Sequence, residues 1–393
     1  MISDKIRQSL SSSSMIRAMF EEGEKLRKQF GADKVYDFSL GNPDPEPPAK
    51  VKEALREIAN STEPKLHSYM NNAGYPEVRD IVAKSMNKES GLSLTYEHVV
   101  MTVGAGGALN VILKTLLNPE DEVIVFAPYF VEYMAYIGNY SGKPVIVKTD
   151  FNTFQPDPEL LRASITPKTK AILINTPNNP TGVVYSEDTL KAIVKVLVEK
   201  GQEYGTTIYI ISDEPYRKLA YDGVKVPNIL SLYRNALLVD SFSKSLSLPG
   251  ERLGYIAVNP AADDISLLMN GLIYCNRVLG YVNAPGLFQR VVGKSLDASV
   301  DINIYKERRD LLYNSLTKFG YECVKPDGAF YLFPKSLIAD DVEFKNRALK
   351  YNLLIVPGSG FGAPGYFRLA YCTSLKTIEN SLPAFEALAK EFK

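Results

Sequence analysis

The sequence has no tryptophan and only two histidines among 393 residues. Those histidines, His67 and His98, leave little material for a histidine-based catalytic centre or a histidine-rich metal site. The three cysteines, Cys275, Cys323 and Cys372, lie far apart, which gives no metal-ligand spacing and favours reduced thiols over a disulfide framework. We therefore expect no metal site and a chemistry that depends on other residue types.

Neither sign of charge is in excess, because 45 lysines and arginines balance 45 aspartates and glutamates. This balance argues against attraction to nucleic acid or to a membrane surface. No apolar run reaches the length of a membrane span, and Met1–Arg7 leads into serines rather than into the apolar part of a secretory signal. With 45% hydrophobic and 23% charged residues, the composition is typical of a soluble globular protein, which we expect in the cytoplasm.

Four apolar runs share one pattern, in which a short hydrophobic stretch gives way to polar residues. They are Glu122–Phe126, Ala171–Ile174, Ile208–Ile211 and Ala236–Val239. Such runs are typical of strands buried on both faces of a parallel sheet, and helical patterns such as 186–200 lie between several of them. The pattern predicts an α/β fold with a mostly parallel central sheet flanked by helices.

Ligands of open α/β sheets bind outside the carboxyl ends of the strands. We therefore expect the side chains that follow the four runs to meet in one crevice, although they are far apart in the sequence. These side chains include Phe130, Asn179, Asp213 and Lys244.

The C-terminal part of the chain changes character. A long charged helix is predicted over 302–319, followed by short helices and short strands, one of them over 366–371. A chain of this length exceeds what one hydrophobic core usually serves. We expect a large cofactor-binding domain at 46–290 and a smaller α+β domain that combines 1–45 with 291–393.

The segment 99–117 reads as a strand, a turn at Gly104–Gly107 and a helix. This geometry can present backbone N–H groups to an anion at a helix N-terminus. The glycine spacing matches neither a dinucleotide-binding fingerprint nor a Walker A motif. A tight turn that packs the helix on the sheet explains the glycines equally well, and both interpretations stay open at this point.

Lys244 lies between two apolar runs, Ala236–Val239 and Leu253–Val258, with serines before it and the turn Pro249–Arg252 after it. A desolvated lysine has a lowered pKa and can form Schiff bases as a nucleophile. A solvated lysine in a serine-rich loop is the competing interpretation.

A Schiff-base lysine suggests an aldehyde cofactor. Pyridoxal phosphate needs a lysine for its aldehyde, a carboxylate for its ring nitrogen and an anion site for its phosphate. Asp213 is the candidate carboxylate, since it follows a buried run where a charge requires a partner. Asn179 and Tyr216 could donate hydrogen bonds to the ring hydroxyl, and Phe130 could either stack on the ring or belong to the core.

With these residues in view, the sequence resembles the class I/II, pyridoxal-phosphate-dependent aminotransferases of fold type I, the family that includes aspartate aminotransferases. The resemblance covers nearly the whole chain. It rests on motifs that occur in the family's order: Gly41-Asn42-Pro43-Asp44, Asn178-Asn179-Pro180-Thr181-Gly182, Ser212-Asp213-Glu214-Pro215-Tyr216, Ser241-Phe242-Ser243-Lys244 with Arg252 eight positions on (252 − 244 = 8), and Phe367-Arg368.

The resemblance implies roles for the residues around the cofactor. Lys244 would hold the cofactor and, once released, move a proton between the substrate and the cofactor. The phosphate would be bound by several groups that face it, namely Ser241, Ser243, Arg252 and the backbone N–H groups of Ala105 and Gly106. Tyr69 matches a tyrosine that reaches the phosphate of the neighbouring subunit, which implies a homodimer with shared active sites.

The resemblance also implies a substrate site. Arg368 matches the arginine that binds the substrate α-carboxylate, assisted by Asn179 and the Gly41 backbone; by residue type alone, it would be a strand residue facing solvent. Phe130 stands where many members have a tryptophan, and Ala105-Gly106-Gly107 lacks a hydroxyl that some members use on the phosphate.

The expected activity is a ping-pong transfer of an amino group between an L-amino acid and a 2-oxo acid, with aspartate and 2-oxoglutarate as the first choice by resemblance. A dicarboxylic substrate would need a second cation, for which Arg17 and Arg277 are candidates. The same scaffold supports β-lyases, decarboxylases and effector-binding modules of transcription regulators. A nicotinamide oxidoreductase is disfavoured, because no G-x-G-x-x-G follows a strand.

Overall fold

The computed structural model of the chain describes residues 2–4, 6, 7 and 15–392, without the side chains of 15–21 and 32. The strands in these ranges are, in chain order, β1 (Tyr36–Asp37), β2 (Val99–Thr102), β3 (Glu122–Ala127), β4 (Lys143–Lys148), β5 (Thr169–Asn175), β6 (Tyr209–Asp213), β7 (Ala236–Ser241), β8 (Gly254–Val258), β9 (Tyr331–Leu332), β10 (Leu353–Leu354), β11 (Val356–Pro357) and β12 (Phe367–Ala370). The α-helices of the same ranges span Met15–Phe30, Ala49–Ala59, Pro76–Ser90, Gly104–Leu116, Glu132–Gly138, Pro158–Ser164, Glu187–Tyr204, Ile229–Leu232, Phe242–Ser245, Ile265–Val278, Gly286–Ser295, Ile302–Phe319, Asp341–Leu349 and Leu375–Lys390.

A seven-stranded sheet forms the centre of the molecule, in the order β2-β8-β7-β6-β5-β3-β4. The strands β4, β3, β5, β6 and β7 run parallel to one another, whereas β8 is antiparallel to both of its neighbours. The carboxyl ends of the parallel strands therefore meet at one edge, as the four apolar runs predict. The expected α/β class, with a large and mostly parallel sheet flanked by helices, is confirmed.

Both faces of this sheet are buried, which explains why its strands read as continuous apolar runs. In β5, Ile172 and Ile174 pack into one hydrophobic cluster, while Ala171 and Leu173 pack into another on the opposite face. The other strands and the flanking helices supply the rest of both clusters. Packing on two sides follows from the alternation of side chains along each strand.

Smaller sheets lie outside the central one. Strand β1 pairs in parallel with β10, and β11, β12 and β9 form an antiparallel sheet in that order. A separate hydrophobic cluster joins the N-terminal segment to the C-terminal helices, since Phe38 packs with Leu312 and Phe385. This arrangement brings both ends of the described chain together. The domain boundaries at 45/46 and 290/291 stay a prediction.

Two local patterns of the sequence differ from the structure. The stretch 35–40 reads as a strand, whereas the structure forms only the two-residue strand Tyr36–Asp37 there. The turn expected at Gly104–Gly107 is the first turn of the helix Gly104–Leu116. Gly104 alone makes the change of direction, with a φ of 67° that glycine adopts without strain.

Across the ranges described above, none of the helices combines the length and the apolar character needed to cross a membrane.

Candidate active site

A cavity of about 380 Å³ opens at the carboxyl edge of the central sheet. It lies within the size range of small-molecule sites. Its lining comprises Leu40, Gly41, Ala105, Gly106, Leu109, Phe130, Glu132, Tyr133, Tyr136, Asn175, Asn179, Asp213, Pro215, Tyr216, Ser241, Ser243, Lys244, Pro249, Arg252, Tyr331 and Arg368.

All site residues expected from the sequence, except Tyr69, line this one cavity. The lining therefore brings together Gly41, Ala105, Gly106, Phe130, Asn179, Asp213, Tyr216, Ser241, Ser243, Lys244, Arg252 and Arg368. Tyr69 lies elsewhere on the subunit, where 88% of its surface is exposed. The structure places these residues, and the role of each stays a prediction.

Lys244 sits on the short helix Phe242–Ser245, which follows β7 directly. Its Nζ donates a hydrogen bond to the carbonyl oxygen of Gly41 at 2.7 Å and lies 5.3 Å from the centre of the Phe330 ring. Burial, with a smaller contribution from the positive charges of Arg252 and Arg368, lowers the pKa of this amine to about 8. The alternative of a solvated lysine in a serine-rich loop is wrong.

Asp213 ends β6 and is buried. The hydroxyl of Tyr133 donates a 2.6 Å hydrogen bond to its Oδ2, whereas Oδ1 has no partner in the described ranges. Burial raises the pKa of Asp213 to about 7, the nearby charge of Glu214 adds to the rise, and the bond from Tyr133 opposes it. The cavity therefore contains a carboxylate oxygen that lacks the donor or cation a buried charge requires.

One asparagine connects two of the expected residues. Asn175 faces Asp213 across the paired ends of β5 and β6. Its Nδ2 donates to the backbone oxygen of Asp213 at 2.7 Å, and its Oδ1 accepts the backbone N–H of Asn179 at 2.7 Å. It thereby fixes the ends of both strands relative to each other.

The N-terminus of the helix Gly104–Leu116 forms another side of the cavity, beside Arg252. A Cβ on Gly104 would lie 2.9 Å from Nη2 of Arg252, so only glycine lets the guanidinium come this close to the helix. Free N–H groups at a helix N-terminus together with a guanidinium are suited to an anion. Ser241 and Ser243 line the same cavity.

Gly254, the first residue of β8, holds these two anion-facing segments together. It pairs with Thr102 of β2 on one side and with Ser241 of β7 on the other. A Cβ at this position would approach the backbone oxygen of Asp240 to 2.6 Å and the backbone of Gly104 to 2.8 Å. A larger residue would force the segments apart.

Arg368 of β12 enters the cavity from the smaller sheet, and only 2% of its surface is exposed. It donates to Asn179 Oδ1 at 3.1 Å and to the backbone oxygen of Ser39 at 2.5 Å, while its Nε has no partner among the described residues. Burial lowers its pKa. The expectation from residue type alone, a strand arginine facing solvent, is wrong, because β12 is covered on the side that Arg368 occupies.

Two tyrosines close the cavity beneath Gly41. The hydroxyl groups of Tyr216 and Tyr331 lie 2.9 Å apart. A Cβ on Gly41 would collide with the Tyr331 hydroxyl. The guanidinium of Arg368 packs 4.9 Å above the Tyr331 ring, which restricts its orientation.

Sequence reasoning missed several lining residues, chiefly Glu132, Tyr133, Tyr136, Asn175 and Tyr331. Asn175 is the first polar residue after its apolar run, so the pattern that selected Asp213 could have found it. Tyr133 and Tyr136 lie on one face of the helix Glu132–Gly138, but no spacing rule distinguishes cavity tyrosines from core tyrosines.

Arg277, one of the two candidates for a second cation, does not line this cavity. Arg277 is exposed and packs over the ring of Tyr274 at 5.4 Å. The side chain of Arg17 lies outside the described residues. Within the ranges given above, no three histidine, cysteine or acidic side chains are grouped as a metal site would need.

Comparison with known proteins places this architecture in one family. The sequence profile described as "Aminotransferase class I and II" matches residues 33–385. The aspartate/prephenate aminotransferase of Thermus thermophilus is 35% identical over 368 residues, which cover 92% of each chain. The aspartate aminotransferase of Thermotoga maritima is 34% identical over 90% of each chain.

Solved structures agree with these relatives. A crystal structure of an amino transferase from Eubacterium rectale superposes with a TM-score of 0.97 at 41% identity and covers 100% of both chains. The structure of Thermus thermophilus aspartate aminotransferase with maleate has a TM-score of 0.86 at 32% identity, covering 96% of this chain and 97% of the other.

Proposed function

This chain belongs to the class I and II aminotransferases, and we propose that it transfers amino groups with pyridoxal phosphate held at Lys244. It is a transferase enzyme of a family that generally depends on this cofactor. The observation that carries the proposal is the meeting of a desolvated amine, a buried carboxylate with an unpartnered oxygen and a buried guanidinium in one cavity. These groups are Lys244, Asp213 and Arg368.

The residues present fit the cofactor. Lys244 supplies an amine for the aldehyde, and Oδ1 of Asp213 can accept from the ring nitrogen. The helix N-terminus at Ala105 and Gly106, with Arg252, suits the phosphate. When bound, pyridoxal phosphate supplies an aldehyde that condenses with amines and a ring that withdraws electrons from the substrate Cα.

Lys244 acts as the general base. With its pKa lowered to about 8, an appreciable fraction of the amine is neutral near pH 7 and can take a proton from the substrate Cα. The carbonyl of Gly41 holds the amine in the cavity when it is free. Asp213 holds the proton on the ring nitrogen, and Tyr133 fixes the orientation of its carboxylate.

Arg368 orients the substrate. Its planar fork can bind the α-carboxylate through two parallel hydrogen bonds, while Asn179 keeps the guanidinium in place. Phe130 provides an aromatic face for the ring, and the Tyr216 hydroxyl, next to that of Tyr331, can donate to the ring hydroxyl. Ser241 and Ser243 add hydroxyl groups to the phosphate site.

We further propose a homodimer in which Tyr69 reaches the phosphate in the partner subunit. The support is its exposure of 88% on the single subunit, which is unusual for an aromatic side chain, together with the family resemblance. Amino-acid and 2-oxo-acid substrates follow from the family. A cytoplasmic location stays a prediction.

Aspartate with 2-oxoglutarate is the substrate pair that the resemblance favours, and aspartate occurs in the names of the relatives. In this chain, that pair needs a cation opposite the second carboxylate. The described lining cations all have other roles in the proposal, so we propose that the partner subunit supplies this cation, with Arg277 as an exposed candidate. The substrate pair is therefore an independent part of the proposal.

The visible spectrum of the purified protein tests the function. We expect an absorption band of the lysine-bound cofactor, and conversion to pyridoxamine phosphate when an amino donor is added without any oxo acid. L-Glutamate, L-aspartate and L-alanine are tried in turn. Subsequent addition of an oxo acid should restore the band, which establishes the ping-pong order.

The variant Lys244→Ala is the control for the spectral experiment. It should lose the lysine-bound band and turnover while keeping the circular dichroism of the parent, because the Gly41 carbonyl is the one hydrogen-bond partner of the amine among the described residues. A wild-type band that no amino acid converts would favour an effector-binding module. Release of an oxo acid without pyridoxamine phosphate would favour a β-lyase. Normal turnover by the alanine variant would contradict the assignment of Lys244.

A further inference from the structure

Several residues that line the cavity have no role in the proposed function. We define the side-chain wall as the four lining residues Leu40, Leu109, Glu132 and Tyr136. Leu40 and Leu109 are apolar, whereas Glu132 and Tyr136 each present an oxygen. The proposed function gives none of these four residues a role toward the cofactor or the substrate α-carboxylate. Tyr136 borders the phosphate site at Gly106, and the rest of the wall is available to the side chain of the amino acid.

Glu132 is the first residue of the helix Glu132–Gly138 and is half-buried. Its neighbours on either side, Val131 and Tyr133, belong to the packed part of the fold. In the described part of the chain, its carboxylate accepts no hydrogen bond and forms no ion pair. A carboxylate that is partly removed from water and still unpartnered favours a hydrogen-bond donor or a cation as its ligand.

Tyr136 lies one helical turn after Glu132 and shares the same face of the cavity. Its hydroxyl lies 3.1 Å from where a Cβ of Gly106 would be, so the glycine makes room for it. Burial, followed by the charge of Glu132, raises the pKa of Tyr136 to about 12. The phenol therefore keeps its proton at neutral pH, adds no charge to the wall and can donate a hydrogen bond.

The charges of the cavity lining are unequally distributed. Its cations are Lys244, Arg252 and Arg368, and the proposed function uses each of them for the cofactor or the α-carboxylate. The acidic residues of the lining are Asp213 and Glu132. A second carboxylate on the substrate would therefore share the cavity with Glu132, with no unused cation among the described lining residues. Two like charges in one cavity repel each other.

We propose that Glu132 selects the amino donor by its side chain, disfavouring a second carboxylate and favouring a side chain that donates hydrogen bonds, such as an amide. This inference rests on amino transfer as the proposed function and names an amide-bearing donor in place of aspartate; the experiment below decides between the two donors. It makes Glu132 a specificity residue, distinct from the groups that carry out amino transfer.

Matched donors isolate the effect of charge. L-Aspartate and L-asparagine differ mainly in the charge of the side chain, and L-alanine, without a side-chain polar group, is the reference donor. Single-turnover conversion of the holoenzyme gives a second-order rate constant for each of the three donors. We expect L-asparagine to exceed L-aspartate, and Glu132→Gln to shift their ratio toward L-aspartate by about ten-fold, as for a partly screened like-charge contact.

Glu159→Gln is the control variant. Glu159 is also an acid in the first turn of a seven-residue helix, Pro158–Ser164, but it lies outside the cavity. We expect it to leave the ratio unchanged. Binding of succinate and succinamate to the holoenzyme, measured by calorimetry, provides a readout independent of turnover and should change in the same direction in Glu132→Gln.

The outcomes separate the two proposals. Failure of every donor, L-alanine included, to convert the cofactor contradicts the proposed function. Normal conversion by L-alanine with L-aspartate preferred over L-asparagine in the wild type overturns the role of Glu132, and would favour a cation from the partner subunit. The same role is overturned if Glu132→Gln and Glu159→Gln give equal donor ratios.

Discussion

The guanidinium of Arg368 donates a hydrogen bond to the side-chain oxygen of Asn179 at 3.1 Å, across 189 positions of the chain. Arg368 belongs to the smaller antiparallel sheet, whereas Asn179 follows β5 of the central sheet. The bond therefore joins two separately built sheets at the point where we place the substrate carboxylate. The length and angle of this hydrogen bond therefore depend on how the two sheets are placed relative to each other.

The variant Arg368→Lys tests the role of this hydrogen bond. Lysine keeps the charge but lacks the planar fork, so it cannot bind Asn179 and a carboxylate in the same orientation. We expect the kcat/KM for amino donors to fall about ten- to one-hundred-fold, as for the loss of one charge-assisted hydrogen bond. Arg347→Lys, on the exposed helix Asp341–Leu349, should leave steady-state kinetics unaltered. Equal kcat/KM values for Arg368→Lys and Arg347→Lys would contradict the role of Arg368.

The stability of the cofactor-free protein should depend on pH through Asp213. Its pKa rises from 3.8 to about 7 on folding, so the folded state favours the protonated acid. The stabilisation that this proton provides is complete below about pH 4 and is lost as the pH rises through about 7. A rise of this size corresponds to roughly 4 kcal/mol at most.

Asp213→Asn removes that titration. The variant should match the wild type in free energy of unfolding at pH 4 and exceed it at pH 8, as measured by urea denaturation of the cofactor-free proteins. Asp188→Asn, at an exposed position in the first turn of the helix Glu187–Tyr204, is the control. A stability difference between Asp213→Asn and wild type that is the same at both pH values would refute the explanation.

Gly41→Ala should impair the site through Tyr331. The added methyl group would collide with the Tyr331 hydroxyl, so the backbone of Gly41 must shift and weaken its bond to the Lys244 amine. We expect turnover to fall by about ten-fold or more. Adding Tyr331→Phe should recover part of that loss relative to the Tyr331→Phe single variant, because it removes the closest contact.

Gly293→Ala, in the helix Gly286–Ser295 and outside the cavity, is a suitable control for this experiment, because the added Cβ would lie 3.4 Å from Val78 and 3.6 Å from Ile81, which are ordinary van der Waals distances. It should change neither turnover nor thermal stability by much. A normal rate in Gly41→Ala would show that the loop adapts, and that the approach of Tyr331 does not constrain the lysine.

Much of the fold could be predicted from local pattern. Buried parallel strands are continuous apolar runs, so β3, β5, β6 and β7 were visible in the sequence, and the rule that ligands bind at their carboxyl ends placed Asp213 and Lys244 together. Helix 302–319 has the predicted bounds, since Asp301 caps its start and Gly320 ends it.

What the sequence could not provide was the partner of each polar side chain. Tyr133 reaches Asp213 across 80 positions, and the hydroxyl of Tyr216 meets that of Tyr331 across 115. Such pairs depend on how elements pack, and no local periodicity encodes them. Arg368 illustrates the same limit, because it is buried among Ser39, Asn179 and Tyr331, which lie far from it in the sequence.

The double pairing of Gly254 with Thr102 and Ser241 also bears on how chains of this kind can diverge in length. Gly254 lies ten positions after Lys244 (254 − 244 = 10). The stretch between them must bring the chain back to a position between β2 and β7 that has no room for a side chain. One inserted residue would shift the register of β8 by one position and exchange the side chains that pack on its two buried faces. Insertions and deletions should therefore accumulate in other loops, and this interval should keep its length.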